Sequence, residues 1–237
     1  MQELITGTKA VLLYFATAAS TALGARLLIR IPDELFRKIL HCILLGSLPV
    51  FLFCFHTWWL AALEAVAFAA AVYPLLAFLD RFPFFEKLTT ERKHGELQHS
   101  LLLVFSMFAV VMAICWGWLG DRYLAMASIF AWGFGDAAAA LIGKQFGRHK
   151  IRWKYTDGKK SYEGSFAMLL TSFATVVLVL SLRDGFSFPV VLVISLAVAL
   201  VSTLAELYSK NGNDTVICPL CAMAALLPLA AAFGGLV

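Results

Sequence analysis

Apolar residues run along this chain in eight long blocks separated by short polar connectors. The blocks fall at roughly 8–28, 39–56, 58–79, 98–119, 123–143, 163–182, 188–207 and 216–236. Each approaches the ~20 residues that an α-helix needs to cross a bilayer. Almost every residue then belongs to a helix or a short connector, which leaves no room for a soluble domain. The pattern predicts an all-α fold, a polytopic integral membrane helical bundle forming one domain over 1–237.

Composition agrees. The chain is 61% hydrophobic and only 14% charged, with a mean hydropathy of +0.84. Soluble proteins carry about 25% charged residues, so a soluble class is excluded. The first block is a poor signal peptide, because no cationic region precedes it and Arg26 and Arg30 follow it. The five cysteines lie in or beside apolar spans. Cys218 and Cys221 have CxxC spacing without a second Cys/His pair to complete a zinc site, and all five read as inert, reduced thiols.

Charge sets the expected orientation. Sixteen of the Lys and Arg residues fall in the first, third, fifth and seventh connectors, and three (Lys9, Arg122 and Arg183) fall on the other side. This bias places the odd connectors in the cytoplasm and both termini on the non-cytoplasmic side. Most of these cations need no role beyond topology and attraction to anionic lipid. The same connectors also collect acids and histidines, which topology does not ask for, and this predicts one polar site at the cytoplasmic face. The tryptophans at 58, 59, 116, 118 and 132 read mostly as an outer interfacial belt, and Glu64 has no evident partner.

The fifth block carries Asp136 amid glycines and alanines, about 10 Å above its cytoplasmic end. An ionised group at such depth normally faces a protein cavity or a partner. Asp136, Ala140, Gly143 and Gly147 share one helix face by their spacing. The small residues suit close helix packing, as small-xxx-small faces do. They equally suit Mg²⁺ and a phosphate chain brought close to the carboxylate. The next connector ends in Lys159, Lys160 and Ser161, followed by Glu163 and Gly164 where the sixth helix begins. A helix N-terminus favours anions, and the two lysines add point charges for phosphates. Glu163 is either a complement to the helix dipole or a metal ligand. The GKKS string is not a Walker A loop, since Trp153 stands where its first glycine should be and no strand precedes it. Nor does the chain carry the DGxxAR opening of a CDP-alcohol phosphotransferase. Glu206, in a helix's last turn, opposes the dipole there, so a functional reason is favoured. Asp214 follows Asn211-Gly212-Asn213 and is either functional or part of a turn.

The stretches RKILH (37–41), ERKHGE (91–96), GDAAAALIGKQFG (135–147), KKSYEG (159–164) and AELYSKNGND (205–214) together resemble the CTP-dependent lipid-alcohol kinases. That family includes phytol kinase, dolichol kinase and yeast-type diacylglycerol kinase. The resemblance covers about 35–225, and the pair GDxxAxxxGxxxG with KKSxEG is its most specific part. The family usually has Asp-Asn before the last helix, whereas Thr215 follows Asp214 here. The resemblance implies transfer of the γ-phosphoryl group of CTP to the hydroxyl of a membrane-embedded lipid alcohol (polyprenol, phytol or diacylglycerol-like), with Mg²⁺. It gives the metal to Asp136 with Glu163 or Asp214. Nucleotide binding falls to Asp136, Ala140, Gly143, Gly147, Lys159, Lys160, Ser161 and Gly164. Catalytic roles fall to Asp136, Lys160, Glu163, Glu206 and Asp214. Arg37, Lys38, His41, Arg92 and Glu96 form a clamp for phosphate or headgroup, with Glu206, Asp214, Glu96 and His41 as alternative bases. The implied partners are the lipid alcohol, the nucleotide and the bilayer, with no nucleic acid.

Two rival readings stand beside it. A phosphatidate cytidylyltransferase also needs CTP and Mg²⁺, but its long signature with a GHGG-type run is absent. An ion-coupled transporter could use Asp136 as an ion site. One-sided clustering of charge argues against a midplane pathway, and the two halves show no sequence similarity.

Overall fold

The structure is a computed structural model describing residues 1–82, 85, 95–154, 156, 158–209 and 213–234. Among these, secondary structure is helical apart from one isolated antiparallel bridge. Eight segments of the described residues are long and apolar enough to span a membrane: Gln2–Leu28, Asp33–Cys54, Trp58–Leu79, Glu96–Trp118, Arg122–Gln145, Tyr162–Ser181, Phe188–Tyr208 and Asp214–Ala232. They match the eight apolar blocks within a few residues, except that the first and second begin six residues earlier. Pro32 ends the first connector, and Asp33 and Glu34 complement the dipole of the helix that starts there.

The chain forms two compact units, Met1–Ala113 and Ile114–Val237. The first contains α1 (Gln2–Leu28), α2 (Asp33–Gly46), α3 (Leu48–Cys54), α4 (Trp58–Leu79) and α5 (Glu96–Val111). The second predicted span is thus two helices. The break falls at Ser47, whose hydroxyl donates to Leu44 O at 2.6 Å, and Pro49 in the next turn supplies no N–H. Phenylalanines make this unit's core. Phe105 lies against Phe68, Phe51 and Phe108 with ring centroids 5.5–5.7 Å apart, and Phe15 stacks on Phe68 at 4.6 Å. At one end the Glu3 carboxylate accepts the N–H groups of His56 and Thr57, both at 2.8 Å, and so closes the start of α4. At the other end Arg26 pairs with Asp33 at 2.5 Å, and Gln98 donates to Asp80.

The second unit contains α6 (Arg122–Gln145), α7 (Tyr162–Ser181), α8 (Phe188–Tyr208) and α9 (Asp214–Ala232). Between α5 and α6 the chain passes through a π-helix, Met112–Trp118, inside which the division between the units falls. Helix α6 packs against α7, α8 and α9 and is buried along most of its N-terminal half. Asp121 caps it by accepting the N–H groups of Tyr123 (2.9 Å) and Leu124 (3.2 Å), and pairs with Arg183 at 2.5 Å. The five tryptophans expected mostly as a belt divide here. Trp132 is 1% exposed and belongs to the core, and Trp116 is buried beneath the Arg122 guanidinium, 4.2 Å from its ring centroid. Only Trp58, Trp59 and Trp118 of that set are exposed.

Candidate active site

Helix α6 runs two residues beyond its apolar block, so half-buried Asp136 lies about 14 Å from the helix's end at 1.5 Å per residue. Below it, α6 and α7 meet backbone to backbone. A Cβ on Gly164 would lie 2.9 Å from Ala139 O and 3.2 Å from the Gly143 Cα. A Cβ on Gly147 would strike Gly143 O and the Ser161 hydroxyl. Three of the predicted nucleotide-binding residues, Gly143, Gly147 and Gly164, therefore have their bare faces filled by the α6–α7 contact. Ser161 is there too, as the cap of α7, accepting the Gly164 N–H at 3.2 Å. Ala140, on the same stripe, is half-buried.

The connector from α6 to α7 is a hairpin. Ile151 N–H donates to Lys160 O at 2.9 Å, and Tyr162 N–H to His149 O at 3.0 Å, around the Lys150–Ser161 bridge. Buried Ile151 anchors it. Glu163 accepts from the backbone of Arg148 (3.3 Å) and His149 (3.2 Å), and its Oε1 lies 2.7 Å from His149 Nδ1. Sequence reasoning missed His149, and nothing in its neighbourhood along the chain could have paired it with Glu163.

Lys160 leaves the hairpin toward the far side of the unit. Its Nζ lies 2.9 Å from Glu206 Oε1 and donates to the carbonyls of Glu206 and Ser209, joining the hairpin to the end of α8. Glu206 is only 8% exposed, and the charges of Lys160, Asp136 and Asp214 all act on it. The same four side chains act on buried Cys218, one turn into α9. The structure thus joins Lys160 to Glu206 from two separate stretches, with Asp136 and Asp214 within electrostatic reach of Glu206 and of the buried Cys218 thiol. It turns Glu163 toward the hairpin and leaves Lys159 exposed.

No three His, Cys, Asp or Glu side chains among the described residues converge closely enough to hold a metal alone. Mg²⁺ asks for less, commonly one or two carboxylates completed by substrate phosphates and water. Asp136 and Asp214 offer hard carboxylate oxygens of the kind that ion takes, and both act electrostatically on Glu206.

In the first unit, Arg37, Lys38, His41 and Glu96 line one cavity of about 100 Å³ with Ser100 and three leucines. Arg37 is held between Glu34 (3.2 Å) and Glu96 (2.6 Å). Drug-sized ligands occupy pockets of about 300–1,000 Å³, so this cavity suits a small polar group and not a whole nucleotide. Arg92, the fifth predicted clamp residue, lies outside the described residues.

No protein-family model matches the chain. A phytol kinase of Synechocystis sp. is 34% identical to it over 211 residues, 85% of this chain and 83% of the relative. The chain belongs to the lipid-alcohol kinase family. A probable chloroplastic phytol kinase of Triticum aestivum is 27% identical over 71% of the chain and 55% of its own length. The dolichol kinase of Saccharomyces cerevisiae is 34% identical over 89 residues, 37% of the chain and 16% of its own length. The protein is a multi-pass membrane lipid kinase, and as a kinase it must manage the charge of a transferred phosphoryl group. The cluster around Lys160 has the residue types for that task.

Proposed function

We propose that this lipid kinase transfers the γ-phosphoryl group of CTP to the hydroxyl of a membrane-embedded alcohol of the polyprenol, phytol or diacylglycerol type. The work is done at the cytoplasmic face, with both termini on the opposite side. The observation that carries the reading is the Lys160–Glu206 pair within electrostatic reach of Asp136 and Asp214 in a unit of four apolar helices. The names of the curated relatives support the acceptor class, the sequence resemblance supports CTP, and the one-sided cations support the face.

Asp136 and Asp214 would hold Mg²⁺, which when bound neutralises phosphate charge and orients the donor. The Lys160 ammonium, exchanging one of its three present acceptors for a phosphoryl oxygen, stabilises the charge that spreads over those oxygens in a loose transition state. Glu206, held in place by Lys160, takes the hydroxyl proton. The alcohol oxygen bonds to the γ-phosphorus as the bond from phosphorus to the β–γ bridging oxygen breaks, and CDP leaves. The low exposure of Glu206 keeps water from competing as acceptor.

The test is transfer of label. Protein in lipid vesicles receives γ-labelled CTP, Mg²⁺ and either phytol, a prenol or diacylglycerol. Label in the lipid fraction is expected. Label appearing only as pyrophosphate, and only when phosphatidate is supplied, would overturn the reading.

A further inference from the structure

The hairpin presents two adjacent lysines: Lys160 pairs with buried Glu206, and Lys159 is exposed. Lys159 and Lys160 are chemically alike, so backbone register decides between them. Ser161 is extended (φ −129°, ψ 155°), and neighbouring residues of an extended segment point to opposite faces. Ser161 faces the Gly143–Gly164 contact, so Lys160 must face away from it, toward α8. A slip of one residue would send Lys160 outward and bring a different side chain to Glu206.

We infer that Glu163 is a positioning residue that fixes this register, clasping the outgoing limb of the hairpin to the start of α7 so that Lys160 meets Glu206. Its carboxylate stands on the returning side, two residues past Ser161. It takes the backbone N–H groups of Arg148 and His149 and the His149 ring on the outgoing side. These contacts lie directly beneath the Ile151–Lys160 and His149–Tyr162 hydrogen bonds, the two rungs that set the register. A carboxylate committed to three donors of its own chain would have to give them up to ligate a metal. Two hydrogen bonds alone hold a short two-stranded turn weakly, since isolated hairpins are marginal in water. The clasp adds charge-assisted bonds, about twice as strong as neutral ones, at the open end of the turn.

The inference rests on the proposed phosphoryl transfer for its kinetic arm only. In nanodisc-embedded protein, acylation of Lys159 and Lys160 by a water-soluble amine reagent is followed by peptide mass spectrometry. Wild type should label Lys159 much faster than Lys160. Glu163→Ala should bring the two rates together, as should Glu163→Asp, which keeps the charge but falls short by a methylene. Glu163→Gln, whose amide oxygen still accepts the backbone N–H groups, should keep the wild-type ratio. For the alanine variant, kcat should fall about a hundredfold, as for a misplaced catalytic group, with the half-saturating Mg²⁺ concentration unchanged. Lys160 remaining protected in both Glu163→Ala and Glu163→Asp would overturn the inference. So would a tenfold rise in the Mg²⁺ requirement of Glu163→Gln with its labelling ratio intact, since that marks a metal ligand. Absence of transfer by wild type would sink the proposed function and leave the labelling result to decide this one.

Discussion

Replacing Lys160 with methionine should damage stability and chemistry together, and a second substitution should separate them. The lysine and Glu206 are 2.9 Å apart, with side chains 16% and 10% exposed. Removing one partner leaves the other as a buried charge without compensation, which costs about 3–5 kcal/mol. For a chain of this size each kcal/mol moves Tm by 2–4 °C, so a fall of about 6–20 °C is expected. Loss of one preorganised donor to the developing phosphoryl charge lowers kcat by about 10²–10³. Adding Glu206→Gln removes the stranded charge, so Lys160→Met/Glu206→Gln should recover at least half of the lost Tm and remain inactive. Thermal unfolding by intrinsic fluorescence in nanodiscs, with the transfer assay on the same samples, reads both effects. A Lys160→Met protein melting within about 2 °C of wild type would refute the buried-pair argument. A double variant less stable than the single one would refute it as well.

Asp136→Asn should abolish transfer while leaving Tm nearly unchanged; full activity in the same assay would remove Asp136 from the metal site. Gly164→Val places a branched side chain where even a Cβ stands 2.9 Å from Ala139 O, and should lower stability by about 1–3 kcal/mol through overpacking. Urea or thermal unfolding checks it, and an unchanged midpoint would contradict the backbone contact. Asp121→Ala should cost about 1 kcal/mol for the lost cap and more for the lost Arg183 pair. Its activity per folded molecule should match wild type, because Asp121 lies about 22 Å along α6 from Asp136.

The spans were legible because twenty-residue apolar blocks have one economical solution in a bilayer, and the eight blocks and the eight spans of the described residues coincide to within six residues. What composition conceals is local. The break at Ser47 depends on one hydroxyl and one proline inside an unbroken apolar run, and the π-helix at Met112–Trp118 has no compositional mark. Residue type alone favours an interfacial place for Trp132, yet it is buried on a helix that packs against three others. The cluster was legible through its acids and lysines, since charged side chains at the ends of apolar helices need a reason. Which lysine would enter, and where Glu163 would turn, depended on pairing across the hairpin. A first-turn glutamate satisfies dipole, metal and clasp equally well when read along the chain alone. Cys218 shows the opposite case, a residue whose apolar habit hides the field of four charged groups that act on it.

The Ile151–Lys160 hydrogen bond also makes the hairpin tip an engineering address. The His149–Tyr162 bond and the Glu163 contacts lie on the helix side of that bond. Chain inserted between Arg152 and Lys159 therefore lengthens a loop whose two ends are already joined. The entropy of loop closure grows only slowly with length, by about 0.6 kcal/mol per doubling. An affinity epitope or a circularly permuted reporter placed there should leave phosphoryl transfer intact, and would give purification and tracking a handle that neither terminus needs to carry.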